Sequence, residues 1–311
     1  MNPYNYNTDS VQFDLKLKKV TAKWSRYSIE FASASKTPFP EVNLARGQFF
    51  MPQCGVKVPL VIFLHGLGDH SVVPCRLLAG SLVRRDVASF ILCMPFHSSR
   101  MTVDMNRRFP MLTAEEWFEH TCVSVINVRQ VIDWANKQPG IDSQKIGIFG
   151  ISLGGFISAI VMGIDRRVKA SILTVMGGNS AKISHLSSRW TRRGFNQTDD
   201  EYRHFQEVYL KYVREVAQKG FEEVIPPEKS FLTDPLTFAA LLRERSVCMF
   251  NALWDEAIPR AATVEFWEAC GRPPITWLPA THASIWIWYP IIHRKINRFL
   301  RSVFNDGITA K

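Results

Sequence analysis

The feature that most restricts the fold of this chain is a series of continuous apolar runs separated by helical segments. The runs occupy residues 58–64, 88–94, 145–151, 168–176, 247–253 and 275–278. A continuous apolar run is typical of a strand that is buried on both faces, because such a strand has no solvent-facing side. Strands that alternate with helices predict an α/β fold, in which a mostly parallel sheet carries helices on both faces.

The residues before the first of these runs show a different pattern. Apolar and polar side chains alternate from Val11 to Leu17, which predicts a half-buried strand. Residues 27–31 repeat this alternation, and residues 48–51 form a shorter candidate. We therefore expect antiparallel strands to open the sheet.

Two segments carry clear helix signals. A capping box at Thr113–Glu116 predicts a helix that ends near the stop signal at residues 138–140. A second capping box at Thr198–Glu201 begins an amphipathic stretch with aromatic side chains on one face. We interpret residues 177–233 as a helical cap inserted after the sixth strand of the main sheet; the alternative is a helix that covers the sheet edge or forms a dimer contact. The predicted organisation is an N-terminal extension (1–48), a core (49–176 and 234–305), the cap (177–233) and a tail (306–311).

A serine flanked by glycines follows one of the apolar runs. Gly150-Ile-Ser152-Leu-Gly154 lies between the strand-like residues 145–149 and the helix-like residues 156–162. A sharp turn between strand and helix holds the serine in a strained conformation and places its hydroxyl at a helix N-terminus. This context predicts Ser152 as a nucleophile, and the alternative is a glycine-rich turn without catalysis.

A second glycine-rich loop, His65-Gly-Leu67-Gly-Asp69-His70, follows the run 58–64. A serine that attacks a carbonyl needs two N–H donors for the developing oxyanion. The amide groups of Leu67 and Leu153 have the expected positions. The alternative, in which His65, Asp69 and His70 bind a metal, is not favoured, because no further ligand cluster accompanies them. We expect no metal site and interpret His65 as a structural hydrogen-bonding residue.

A nucleophilic serine also needs a base and an acid that orients the base. Asp255 follows the late run 247–253, with Glu256 as its competitor, and His282 follows the last run. The carboxyl ends of parallel strands form the crevice in which open α/β sheets bind ligands. The order Ser152, Asp255, His282 therefore predicts a catalytic triad that requires no cofactor.

These motifs resemble the α/β-hydrolase superfamily over residues 45–305, and within it the dienelactone hydrolase and acetyl-esterase-like branch. The resemblance is carried by residues 131–135, 139–142 and 145–155, by Asp255-x-x-Ile-Pro259 and by the 65–69 loop. It implies triad roles for Ser152, Asp255 and His282, with Leu67 and Leu153 as oxyanion amides. We therefore expect a serine hydrolase that cleaves a small-molecule carboxylic ester through an acyl-enzyme. Dienelactone hydrolases use cysteine where this chain has Ser152, so their substrate is not implied. A thioesterase or small-peptide hydrolase with the same triad, and a ligand-binding member without activity, are the alternatives.

The chain has a formal net charge of +10, which indicates a basic surface or an acidic partner. No nucleic-acid-binding signature is present, so nucleic acid is not an expected partner.

His97 and Arg100, with Arg107, are candidates for binding a polar or acidic substrate group; solvated loop charges are the alternative. The aromatic and basic C-terminal stretch suggests peripheral membrane contact, but a final helix packing on the sheet is favoured. The absence of a signal-peptide pattern and six scattered cysteines predict a cytoplasmic protein with reduced thiols.

Overall fold

The computed structural model describes residues 2–8, 11–69, 72–101, 113–188 and 198–305, and within them the chain forms one nine-stranded sheet. The strands follow the order β1-β2-β3-β5-β4-β6-β7-β8-β9. Strands β4 to β9 run parallel, whereas β1, β2 and β3 are antiparallel to their neighbours. This architecture confirms the predicted α/β fold. The strands are β1 Phe13–Val20, β2 Trp24–Ala32, β3 Leu44–Pro52, β4 Val58–Leu64, β5 Ala88–Cys93, β6 Ile141–Ile151, β7 Val168–Thr174, β8 Ser246–Ala252 and β9 Ile275–Leu278.

Helices cover both faces of this sheet. The capping box at Thr113 begins helix α3, as predicted. Helices α3 and α4 pack on one face, and α2 and α9 pack on the other. Helix α9 buries Ile292, Ile296 and Leu300 against the sheet, which agrees with the favoured interpretation of the C-terminal stretch. The described α-helices are α1 Pro40–Asn43, α2 Val73–Leu82, α3 Ala114–Asn136, α4 Leu153–Ile164, α5 Ser180–Leu186, α6 Asp199–Lys219, α7 Pro235–Phe238, α8 Arg260–Ala269 and α9 Tyr289–Asn305. None of the helices in the described residues is both long and apolar enough to cross a membrane.

Strand β1 differs from its predicted half-buried state. It lies at the edge of the sheet, and every residue from Asp14 to Val20 is exposed. Only Phe13 packs inward, where its ring stacks on Phe31 and Trp134. The alternating pattern identified the strand correctly, but within the described ranges no neighbouring element buries Asp14 to Val20. Burial there is decided by the tertiary neighbours.

The segment predicted as a cap contains two described helices. The buried residues of α6, Tyr209, Tyr212 and Val216, lie in the core cluster that contains Phe231 and Phe238. Asn179, which caps α5, bonds Gln206 of α6 through its side chain at 2.6 Å. The insertion is therefore attached to the body of the molecule through the face of the sheet that carries α3 and α4.

The register of the parallel strands brings several strand ends to one edge of the sheet. Leu64 of β4 pairs with Gly150 of β6, and Ile151 pairs with Thr174 at the end of β7. Ala252 and Leu278 pair at the ends of β8 and β9. The loops that follow β4, β6, β8 and β9 consequently emerge side by side, and these loops carry the predicted functional residues.

Candidate active site

Ser152 occupies the turn between β6 and α4 in a strained conformation. Its backbone angles are φ 51° and ψ −115°, a region that non-glycine residues rarely adopt. The Ser152 amide donates to the Thr174 carbonyl at 2.8 Å, which ties the turn to the end of β7. Ser152 is the N-cap residue of α4, so its hydroxyl lies at the positive end of the helix dipole.

The glycines on either side of Ser152 are required because backbone carbonyls lie where their side chains would be. A β-carbon at Gly150 would overlap the carbonyl of Gly154, one turn further along. A β-carbon at Gly154 would overlap the Leu64 carbonyl at the end of β4. The turn can therefore pack against the 65–69 loop only because these positions have no side chain.

Three side chains from separate loops meet at this turn. The Nε2 atom of His282 lies 3.1 Å from the Ser152 hydroxyl oxygen. The Nδ1 atom of the same ring lies 2.9 Å from each carboxylate oxygen of Asp255. An imidazole placed between a hydroxyl and a carboxylate can accept a proton from the first and be oriented by the second. The sequence predicted these three residues, and the structure brings all of them together.

The neighbouring acids Asp255 and Glu256 have different partners. The Asp255 side chain is buried, and its Oδ1 atom also accepts the amides of Ala257 and Ile258 at 2.9 and 2.8 Å. Glu256 accepts the backbone amide of His282 at 3.1 Å. Asp255 therefore contacts the imidazole, while Glu256 contacts the backbone of the loop that carries it. The role of Glu256 was missed because its position after Asp255 gives no signal of this contact.

The two predicted oxyanion donors belong to segments that adjoin Ser152. Leu153 is the first residue of α4, so its amide has no partner within the helix. Leu67 belongs to the 65–69 loop, and a β-carbon at the preceding Gly66 would lie 3.7 Å from the Ser152 β-carbon. Both residues are partly exposed.

His97 and Arg100 do not fit their predicted role in substrate binding. Both side chains are fully buried, with 0% exposure. The Arg100 guanidinium donates to the Cys93 carbonyl at 2.8 Å, to Asn127 at 2.9 Å and to the Val42 carbonyl. Burial lowers the pKa of Arg100 to about 10, so the group stays charged at neutral pH. The structure corrects this prediction because both side chains are buried and bond internal groups; Arg107 lies outside the described residues.

We expect Arg100→Met to weaken the fold without changing substrate preference. Loss of the guanidinium leaves several buried acceptors without a donor, which should lower the free energy of unfolding by about 3 kcal/mol. Urea denaturation measures this loss, and Arg84→Met, at an exposed position in the short 3₁₀ turn that follows α2, is the matched control. The ratio of kcat/KM for a neutral and an anionic ester should change less than about twofold. A selective decrease in kcat/KM for the anionic ester would instead support a role of Arg100 in substrate binding.

The site contains no metal centre among the described residues. In that part of the chain, no group of three or more His, Cys, Asp or Glu side chains is arranged to hold a metal ion. Both ring nitrogens of His65 face backbone groups, the Gly66 carbonyl and the Met94 amide. His70 lies outside the described residues. His65 thus has the structural hydrogen-bonding position that its sequence context suggested.

Part of this chain matches a known protein family. Residues 4–192 match the model of the family described as alpha/beta hydrolase domain containing 18. The chain belongs to this family. The match spans β1 to β7 and includes Ser152 with both candidate oxyanion donors. It confirms the predicted α/β-hydrolase superfamily.

One curated relative and two solved structures resemble this chain at low sequence identity. An uncharacterized protein of Mycobacterium tuberculosis is 22% identical over 188 residues, which cover 60% of this chain and 38% of that protein. The chain therefore spans about two fifths of the length of that relative. Among solved structures, acetyl xylan esterase 1 from Thermoanaerobacterium sp. superposes with a TM-score of 0.64 at 15% identity, covering 96% of this chain and 90% of the other. A cold-adapted esterase from an Arctic intertidal metagenomic library gives a TM-score of 0.61 at 16% identity, with coverages of 92% and 98%. These structures share the fold.

Proposed function

We propose that this chain is a serine hydrolase that cleaves a carboxylic ester through an acyl-enzyme intermediate. The observation that carries the proposal is the continuous contact from Asp255 through His282 to Ser152, with distances of 2.9 and 3.1 Å. Two further features support it: the strained turn at Ser152 and the adjacent 65–69 loop. A purely structural cluster would not need a hydroxyl in an accessible, strained position.

In the first half of the proposed reaction, the Ser152 oxygen attacks the ester carbonyl while His282 Nε2 takes the hydroxyl proton. The carbonyl oxygen becomes negatively charged, and the amides of Leu67 and Leu153 bind it. Asp255 stabilises the imidazolium that has formed. The tetrahedral intermediate then breaks its bond to the alcohol oxygen, which receives the proton from His282. An acyl group remains on Ser152.

The second half of the reaction repeats these steps with water. His282 accepts a proton from a water molecule, whose oxygen attacks the acyl carbonyl. The second tetrahedral intermediate releases the carboxylic acid and returns the proton to Ser152. In this scheme His282 carries out every proton transfer and the two amides bind the oxyanion, so the proposed chemistry requires no cofactor.

The proposed substrate is a small acyl ester, with a thioester or a short peptide as the alternative. Two solved structures of the same fold are described as esterases, one of them an acetyl xylan esterase. We propose that the 177–233 insertion selects the acyl group. Ser187, which directly follows α5 in this insertion, donates its hydroxyl to the Glu256 carbonyl at 2.9 Å. This bond connects the insertion to the loop of Asp255. We also propose a cytoplasmic location, which the six free thiols support.

A fluorophosphonate probe tests the proposed nucleophile directly. We expect the probe to label the folded protein once, with mass spectrometry locating the adduct on Ser152. A panel of ester, thioester and amide substrates with the same acyl group then ranks the three reaction types. Folded protein that is not labelled and cleaves none of these substrates would contradict the hydrolase proposal and favour a ligand-binding role.

A further inference from the structure

Two buried histidines connect the 65–69 loop to the loop of residues 94–100. The Met94 amide donates to His65 Nε2 at 3.1 Å. In the opposite direction, the Gly68 amide donates to His97 Nε2 at 3.0 Å. Each loop therefore supplies one imidazole that accepts a backbone N–H from the other loop. Both imidazoles have 0% exposure, so water does not compete for these bonds.

The tautomer of each ring follows from its second contact. His97 Nδ1 lies 2.8 Å from the Pro95 carbonyl, and His65 Nδ1 lies 3.0 Å from the Gly66 carbonyl. A carbonyl oxygen can only accept, so Nδ1 carries the proton in both rings and Nε2 is the acceptor. The ring centroids are 4.7 Å apart at an interplanar angle of 67°. Each ring is thus oriented by a carbonyl of its own loop and bonds the loop opposite.

The bond to Gly68 determines the geometry of a tight turn. The Asp69 amide bonds the Gly66 carbonyl at 3.2 Å, which makes Leu67 and Gly68 the central residues of the turn. Gly68 has φ +73°, the conformation that the third residue of a type II turn requires. The Gly68 N–H belongs to the central peptide unit, whose rotation would change the turn type. Its bond to His97 opposes that rotation and so stabilises the turn that carries the Leu67 amide.

The 94–100 loop is itself anchored in the core. Arg100 bonds Asn127 of α3 and the Cys93 carbonyl, and the Arg100 amide donates to the His97 carbonyl at 2.9 Å. The Arg100 and Asn127 side chains that make these contacts have 0% exposure. The position of the His97 ring is therefore set by the folded core before any substrate binds.

We propose that His97 is a positioning residue, which through the Gly68 amide holds the Leu67 amide in the orientation that binds the oxyanion. This inference rests on the proposed function. His65 supplies the reciprocal bond that keeps the two loops together. The effect belongs to the transition state, because the oxyanion forms only during the reaction.

A pair of substitutions separates the two contacts of His97. His97→Asn retains an NH₂ group that can bond the Pro95 carbonyl but has no atom at the Nε2 position. His97→Gln has a longer side chain whose amide oxygen can reach the Gly68 N–H. We expect His97→Asn to lower kcat by about 10- to 100-fold with KM changed less than about threefold, and His97→Gln to recover kcat to within about fivefold of wild type. The affinity of a boronic acid transition-state analogue should fall in parallel with kcat.

Hydrogen exchange of the Gly68 amide gives a readout that does not depend on turnover. The amide should be protected in wild type and in His97→Gln, and should exchange faster in His97→Asn. His293→Asn makes the same chemical change in α9 and should alter neither the exchange of Gly68 nor kcat.

Three outcomes would overturn the inference. They are an unprotected Gly68 amide in wild type, a His97→Asn variant with wild-type kcat, and equal losses of kcat in the Asn and Gln variants with Gly68 protection retained in both. The first outcome is measured on the wild-type protein, so it does not depend on whether any variant folds. Failure of the proposed function has a different signature: wild-type protein that cleaves no ester and reacts with no fluorophosphonate, whatever the exchange of Gly68.

Discussion

Ser152→Ala should lower kcat for an activated ester by at least about 10³-fold while the protein remains folded. The hydroxyl oxygen of Ser152 contacts His282 Nε2, and no other described side chain supplies a nucleophile at this turn. Alanine keeps the β-carbon, and the backbone bond to the Thr174 carbonyl is unaffected. We therefore expect the free energy of unfolding to change by less than about 1 kcal/mol. Steady-state kinetics and urea denaturation measure the two quantities.

The matched control for this experiment is Ser302→Ala. Ser302 is exposed on α9 and bonds only the Phe299 carbonyl in the same helix, so its loss should leave kcat unchanged. A folded Ser152→Ala protein with more than about a tenth of wild-type turnover would show that Ser152 is not the nucleophile. Loss of activity in both variants would point instead to a general effect of the preparation.

Asp255→Asn should lower kcat by about 10³-fold or more. The amides of Ala257 and Ile258 both donate to Oδ1 of Asp255, and an asparagine oxygen can retain these two bonds at that position. The new NH₂ group would then take the place of Oδ2 and face Nδ1 of His282. Because NH₂ can only donate, it favours the imidazole tautomer with its proton on Nε2. That tautomer cannot accept the Ser152 proton.

Glu256→Gln is the comparison that makes this result specific. The glutamine oxygen can still accept the backbone amide of His282, so we expect less than about a tenfold loss of kcat. Kinetics at a pH where wild-type kcat is constant, with near-equal melting temperatures, would isolate the effect of each acid. A Glu256→Gln variant that loses more activity than Asp255→Asn would transfer the orienting role to Glu256.

The arrangement of strands and reactive residues followed from the sequence to a large degree. Continuous apolar runs predicted β4 to β9, and the parallel topology implies that their carboxyl ends lie at one edge. Ser152, Asp255 and His282 each follow such a run. Their proximity was therefore predicted from the positions of the strand ends. The burial of β1 was predicted wrongly, because an alternating pattern identifies a strand but does not show whether other residues cover it.

The positions of His97 and Arg100 could not be predicted in this way. The Gly68 amide bonded by His97 lies 29 positions away in the chain, and the Val42 carbonyl bonded by Arg100 lies 58 positions away. Polar residues in a loop after a strand usually face solvent or ligand. Here the loop turns inward, and both side chains bond groups of distant segments: His97 bonds the Gly68 amide, and Arg100 bonds the Val42 carbonyl and the Asn127 side chain.

The sequence by itself determined where the proposed nucleophile, acid and base occur, because each depends on a local pattern at the end of a strand. Only the tertiary structure decided which of Asp255 and Glu256 faces the imidazole, and which way the His97 side chain points. Adjacent residues in a turn project in different directions, and backbone dihedral angles together with distant hydrogen-bond partners select among them. Those partners become neighbours only when the nine strands of the described chain have paired.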